Sequence, residues 1–151
     1  MSVRWYENPA EFGAAIQRFG AVEVQLIAKQ VACQVFTEVS EQVLMNTPVL
    51  TGKARGNWQP TVGEPSGAQL TRLAGVQQTG EEPTGSEKES IKGVCDQFMS
   101  DSGATMLYLS NNLPYIALLD QGSSAKAPAG IVHPAISASL DALKDRHGVK
   151  V

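Results

Sequence analysis

Residues 21–45 most limit what this chain can fold into. Val24, Ala28, Val31, Val35, Val39 and Val43 recur at three- and four-residue steps, while Glu23, Lys29, Gln34, Glu38 and Glu41 fall mostly elsewhere. That spacing predicts a long amphipathic helix of about seven turns. Pro48 ends it, because a proline disfavours helical backbone at the residue before it, Thr47. Valine is a modest helix former, so tertiary packing must hold the rod rather than local preference. With 151 residues, 42 % of them hydrophobic, the chain is large enough for one domain with a real core.

The remaining segments build around this rod. Asn8, Pro9 and Glu11 form a helix start, and Gly13 and Gly20 predict a short helix that bends or breaks near Gly20. Thr51 and Gly52 make a turn, and a strand is expected over 57–62. Residues 63–85 are rich in Gly, Pro, Gln, Thr and Glu, with an apolar island at Leu70, Leu73 and Val76. They read as a long loop or arm, either a surface insertion or a segment that orders against a neighbouring subunit. Ser86 and Glu89 form a capping box for a helix with Ile91, Val94, Cys95, Phe98 and Met99 on one face, ending near Gly103. A strand follows over 105–110, then a strand or short helix over 113–119. Pro134 opens a last helix that Gly148 ends. The sum is an α+β domain: a long helix and a C-terminal helix packed on a small antiparallel sheet of two to four strands, with a long arm.

Chemistry is sparse. The net charge of −3 gives no basic footprint for nucleic acid. Cys33 and Cys95 sit among apolar residues and read as buried free thiols in a reducing compartment. His133 and His147 lie far apart, without a Cys or acid at metal-ligand spacing, so no metal or other cofactor is expected. No nucleophile elbow, phosphate loop or Cys–His pair is present. Glu81 and Glu82 read as solvated loop acids. Met1 to Tyr6 is not followed by the apolar core of a secretion signal, and no apolar run approaches membrane-spanning length, so synthesis in a cytoplasm without a membrane partner is expected.

The distinctive residues lie in 111–130. Two asparagines, Asn111 and Asn112, precede a short apolar patch holding Tyr115 and one acid, Asp120. A segment rich in Gly, Ser and Pro follows, with Gly122, Ser123 and Pro128. An acid between apolar neighbours needs a partner. Arg55, in a basic knot with Lys53 beside Trp58, is the expected one, within the subunit or across to a neighbour. Arg55 stacked on Trp58 is the other reading of that knot.

Two blocks together resemble a known family. Residues 47–59, TPVLTGKARGNWQ, are similar to a "TPVDTGRARGNWQ" segment of tailed-phage neck or tail-completion proteins grouped with the HK97 gene-product-10-like tail components. Residues 111–132, NNLPYIALLDQGSSAKAPAGIV, resemble the second block of that family, which reads like "NNLPYA…LEYGWSKQAPAGMV". The blocks come in family order, a long helix before the first and a helix after the second. Leu50 stands where the family has Asp, Asp120 where it has Glu, and Ser123 where it has an aromatic.

The resemblance implies a structural virion protein of the head–tail junction, not an enzyme. It would form a homo-oligomeric ring, a hexamer or dodecamer, that joins the tail to the portal–adaptor complex and leaves a channel for genomic DNA. The expected interface residues are Lys53, Arg55, Trp58, Asn111, Asn112, Tyr115, Asp120, Gly122, Ser123 and Pro128. Two other readings stay open: an assembly chaperone or monomeric adaptor for tail components, and a small hydrolase using Asp120 and His133.

Overall fold

The computed structural model describes residues 8–71 and 78–147, and the fold is mixed helix and sheet. One rod dominates it. Helix α1 (Pro9–Arg18) starts where Asn8 Oδ1 accepts the Glu11 amide at 2.9 Å, with Pro9 in its first turn. The expected break near Gly20 is a π-helical turn (Phe19–Glu23), in which the Val24 amide bonds back to the Phe19 carbonyl. The rod then continues as α2 (Val24–Asn46). Thr47 is extended, as the following proline requires. The Thr47 hydroxyl donates to the Val43 carbonyl at 2.6 Å and accepts from Trp58 Nε1 at 2.8 Å, so the end of α2 is tied to the next segment.

The body forms against α2 from Lys29 onward, where Lys29 Nζ donates to the Phe98 carbonyl at 2.9 Å. Short helix α3 (Lys53–Gly56) leads into β1 (Gln59–Val62); then come α4 (Gly85–Ser100), β2 (Leu107–Ser110), α5 (Ile116–Asp120) and α6 (Val132–His147). The sheet has two strands among the described residues, antiparallel, with Gln59 opposite Ser110 and Val62 opposite Leu107. Helix α2 packs on α6 and α4, and α4 also lies along β1. Val43, Leu44, Trp58, Ile91, Ile131 and Ala135 form the core, with Val39, Leu109 and Leu119 against it. Asn46 Nδ2 reaches the Ile131 carbonyl at 3.2 Å, and Arg146 pairs with Glu38 at 2.9 Å, fastening both ends of the α2–α6 contact.

Helix α4 begins earlier than Ser86 suggests. Thr84 is the cap, and Glu87 reaches back to the Thr84 amide at 2.8 Å. Glu87 has a second duty that fixes this choice. Its two carboxylate oxygens accept from Arg55 Nε and Nη2, each at 3.2 Å. The same guanidinium donates to the carbonyls of Glu81 at 2.9 Å and Glu82 at 3.1 Å. Arg55 is only 1 % exposed, so these acceptors replace its water. Neither expected partner, Asp120 or the Trp58 ring, receives it.

The arm is laid on its own subunit wherever it is described. Asn57 is buried and exchanges two hydrogen bonds with the Leu70 backbone, at 2.7 and 3.0 Å. Gln59 Nε2 holds the Ala68 carbonyl at 2.8 Å. On the return, Gly80 bonds to Met45 and the Thr79 hydroxyl accepts the Val49 amide at 2.9 Å. Leu73 and Val76 of the expected apolar island lie outside the described residues.

Three results are expected. Arg55→Ala strands a carboxylate and two carbonyls, and should lower stability by about 3–5 kcal/mol in chemical denaturation. Burial alone would raise the Glu87 carboxyl; the Arg55 hydrogen bond and charge and the Thr84 bonds outweigh it and hold it below its ordinary 4.5. Its contribution to stability is therefore complete above pH 4.5 and is lost as pH falls below that value. Glu87→Gln should flatten this part of the acid-unfolding profile. In addition, the hydroxyls of Ser40 on α2 and Ser139 on α6 are buried without a hydrogen-bond partner. Ser139→Ala removes an unsatisfied group at little packing loss, so thermal melting should be unchanged or raised, by up to about 1 kcal/mol of stability.

Candidate functional site

The two sequence blocks meet in space. Asn111 Nδ2 donates to the Ala54 carbonyl at 2.8 Å, and Lys126 Nζ donates to the Val49 carbonyl at 2.7 Å. Between these ties lies an open, mainly apolar groove of about 450 Å³. One wall is 48–54, from the first block. The other is Tyr115, Leu119 and 124–126, from the second. Leu50 stands on the rim, 93 % exposed. Lys53 is exposed beside it.

The second block builds its wall with backbone geometry. Asp120 Oδ1 accepts the amides of Ile131 at 2.9 Å and Val132 at 2.8 Å. These lie at the start of α6, where amides have no helical partner. A carboxylate there is also favoured by the helix dipole. Helix α6 thus opens at Val132, earlier than Pro134 suggested, and is capped across the loop by a side chain distant in sequence. The loop is drawn tight at two glycines with φ of 83° and 85°, Gly122 and Gly130. A Cβ on Gly122 would run into the Pro128 carbonyl, and one on Gly130 into the Asp120 carbonyl. Both glycines are needed for left-handed backbone and for close approach.

The other expected interface residues separate into two groups. Arg55 and Trp58 are buried in the subunit, and Asn112 is spent holding the Ser66 carbonyl at 2.6 Å and that of Ala68 at 2.9 Å. Lys53, Tyr115, Ser123 and Pro128 are exposed, and Gly122 is half-buried. Leu50, Leu119 and Lys126 were not anticipated. Their common signal was available: all three lie inside the two blocks, and Leu50 is a large apolar side chain beside a Thr/Gly turn.

Reactive groups are held quiet or dispersed. His133 is exposed in the first turn of α6. The Cys33 and Cys95 thiols are free and face each other between α2 and α4, each within 3.8 Å of the other's carbonyl. Burial, then the hydrogen bond and charge of Cys95, push the Cys33 thiol up to about 12, which suppresses the thiolate. Among the described residues no group of three His, Cys, Asp or Glu could hold a metal ion. No helix of the described residues is long and apolar enough to cross a membrane. No protein-family model, curated protein or solved structure matches this chain.

Replacing Asp120 with Ala should uncap α6 and cost about 1–2 kcal/mol, while Asp120→Asn, which keeps an acceptor oxygen, should cost less. Gly130→Ala should cost more than Asp120→Asn, because it strains a backbone that has no room to move. Urea midpoints of the three variants rank them.

Proposed function

We propose that this chain is a structural subunit of the head–tail junction of a tailed phage, a neck or tail-completion protein. It is made in the bacterial cytoplasm and ends in the virion. Copies assemble as a ring, a hexamer or dodecamer, around the DNA channel. They join the tail-tube or terminator side to the portal–adaptor side. One observation carries this reading: the two family-like blocks, about fifty residues apart in sequence, frame a single groove whose lining is apolar and whose polar atoms are largely spent on its own walls. A groove of that kind suits a chain segment of a neighbouring protein better than a reacting substrate. The net charge of −3 fits a lumen that does not hold phosphates.

The block side chains that looked most chemical serve the fold in this reading. Arg55, Trp58 and Asn57 make the first wall rigid, and Asp120, Gly122 and Gly130 make the second. The contact itself falls to Leu50, Lys53, Tyr115 and Lys126. A ring needs two different faces that match, one per neighbour. The groove supplies one of them.

Particles assembled with Leu50→Glu or Tyr115→Ala should lose tail joining while the isolated protein melts at the wild-type temperature. The check is the yield of tailed infectious particles in complementation, with mass spectrometry of purified particles for the protein itself. Absence from mature particles would leave the chaperone or adaptor reading in place of the ring.

A further inference from the structure

The N-terminal half of the rod keeps an apolar seam that the body does not bury. Phe12, Ile16, Phe19, Val24, Ile27 and Val31 are each 47 to 54 % exposed. Their spacing is four, three, five, three, four. In an unbroken α-helix a five-residue step would turn the seam by about 140° away from its line. The π-helical turn removes that error: the Val24 amide bonds to the Phe19 carbonyl, five residues back, so Val24 stacks over Phe19 as residues four apart do elsewhere in a helix. The rod therefore carries a continuous coiled-coil-like seam, roughly 28 Å long, and adopts an uncommon helical turn at the place that keeps it continuous.

The seam reads the same in both directions. Two copies crossing antiparallel about a two-fold axis between Ala21 and Val22 place Phe12 opposite Val31, Ile16 opposite Ile27 and Phe19 opposite Val24, twice each. We propose that this face docks on the same face of a second copy of the chain in that antiparallel register. It goes beyond the ring reading and does not depend on it.

Charge, area and shape agree. Glu11, Arg18, Glu23 and Lys29 are the charges along this stretch, two of each sign. In the register they fall opposite Ala32, Gln25, Gly20 and Ala14, so no like charges meet. Membrane-surface helices carry a polar face rich in Lys and Arg, which this one lacks. The six seam residues, each about half exposed, together offer on the order of 600 Å² of surface per copy. That reaches the lower end of specific interfaces, roughly 600 Å² per partner. A Cβ at Gly20 would meet nothing, which leaves room for close approach beside the axis. The antiparallel crossing also sets the two bodies at opposite ends of the pair, whereas a parallel one would crowd them side by side. Such a contact is closed at two copies, and a separate contact is needed for anything larger.

Sedimentation of the full chain over a concentration series tests the pairing. Wild type should dimerise with a Kd on the order of 10 μM or tighter. Ile16→Lys alone and Ile27→Glu alone should each weaken it by at least about tenfold, with helix content by circular dichroism unchanged at these exposed positions. Both changes on one chain place Lys opposite Glu at two sites, and the double variant should recover dimerisation to within a few fold of wild type. A wild type that stays monomeric overturns the proposal, as do single variants that pair as well as wild type. A double variant as weak as the singles overturns the antiparallel register. Particle assembly is not read in this experiment, so the ring reading stands or falls separately.

Discussion

A guanidinium without water must have its donors answered by the protein, and at Arg55 the answers come from residues well separated along the chain. The Glu81 and Glu82 carbonyls belong to the returning arm, and the Glu87 carboxylate to the first turn of α4. One side chain therefore fixes where the arm ends, where α4 begins and how α3 sits against both. Glu87 is shared between this network and the helix cap, so the cap cannot slide by a residue without stranding the charge. Trp58 and Asn57 extend the same logic: one pins the end of α2, the other the outgoing arm. The rigid wall of the groove is a product of these bonds.

The groove and the seam divide the molecule by task. Around the groove, polar groups are consumed internally and apolar surface is left at the rim. Along the first half of the rod, surface is left by geometry: the body forms only against the second half, where Ser40, Val43 and Leu44 are buried. A two-stranded ribbon is too small to cover 38 residues of helix, so much of the rod extends beyond the packed core.

Periodicity made the rod, its stop at Pro48 and the helix at Ile91 legible in the sequence, because each depends on a local spacing or a single steric rule. Its exposure was not legible, since a stripe of valines looks the same whether it meets the body or another protein. The pairing of Arg55 was missed for a different reason. Composition said that Asp120 and Arg55 each need a partner, but the choice among acids is set by which loop end returns to α3, and that is tertiary. Nothing local distinguishes Glu87 from Glu89 as the acid of the helix cap. Asp120 was read as a charge seeking a charge, yet two backbone amides at the start of α6 satisfy it as well. Of the site, a contact between the two blocks was expected from the sequence, but through Arg55 and Asp120, which do not pair; Leu50 and Lys126 matter through a juxtaposition of segments more than seventy residues apart.

The clasp at Asp120 has a mechanical side. The tip at 123–126 hangs from a loop whose two ends meet at one place, the opening of α6, where Asp120 grips Ile131 and Val132 and Gly130 lies against the Asp120 backbone. Helix α6 is bolted along α2. Tension applied at the tip consequently reaches α6 and, through it, the longest rigid element, together with the Val49 carbonyl that Lys126 holds, which makes the loop a handle rather than a hinge.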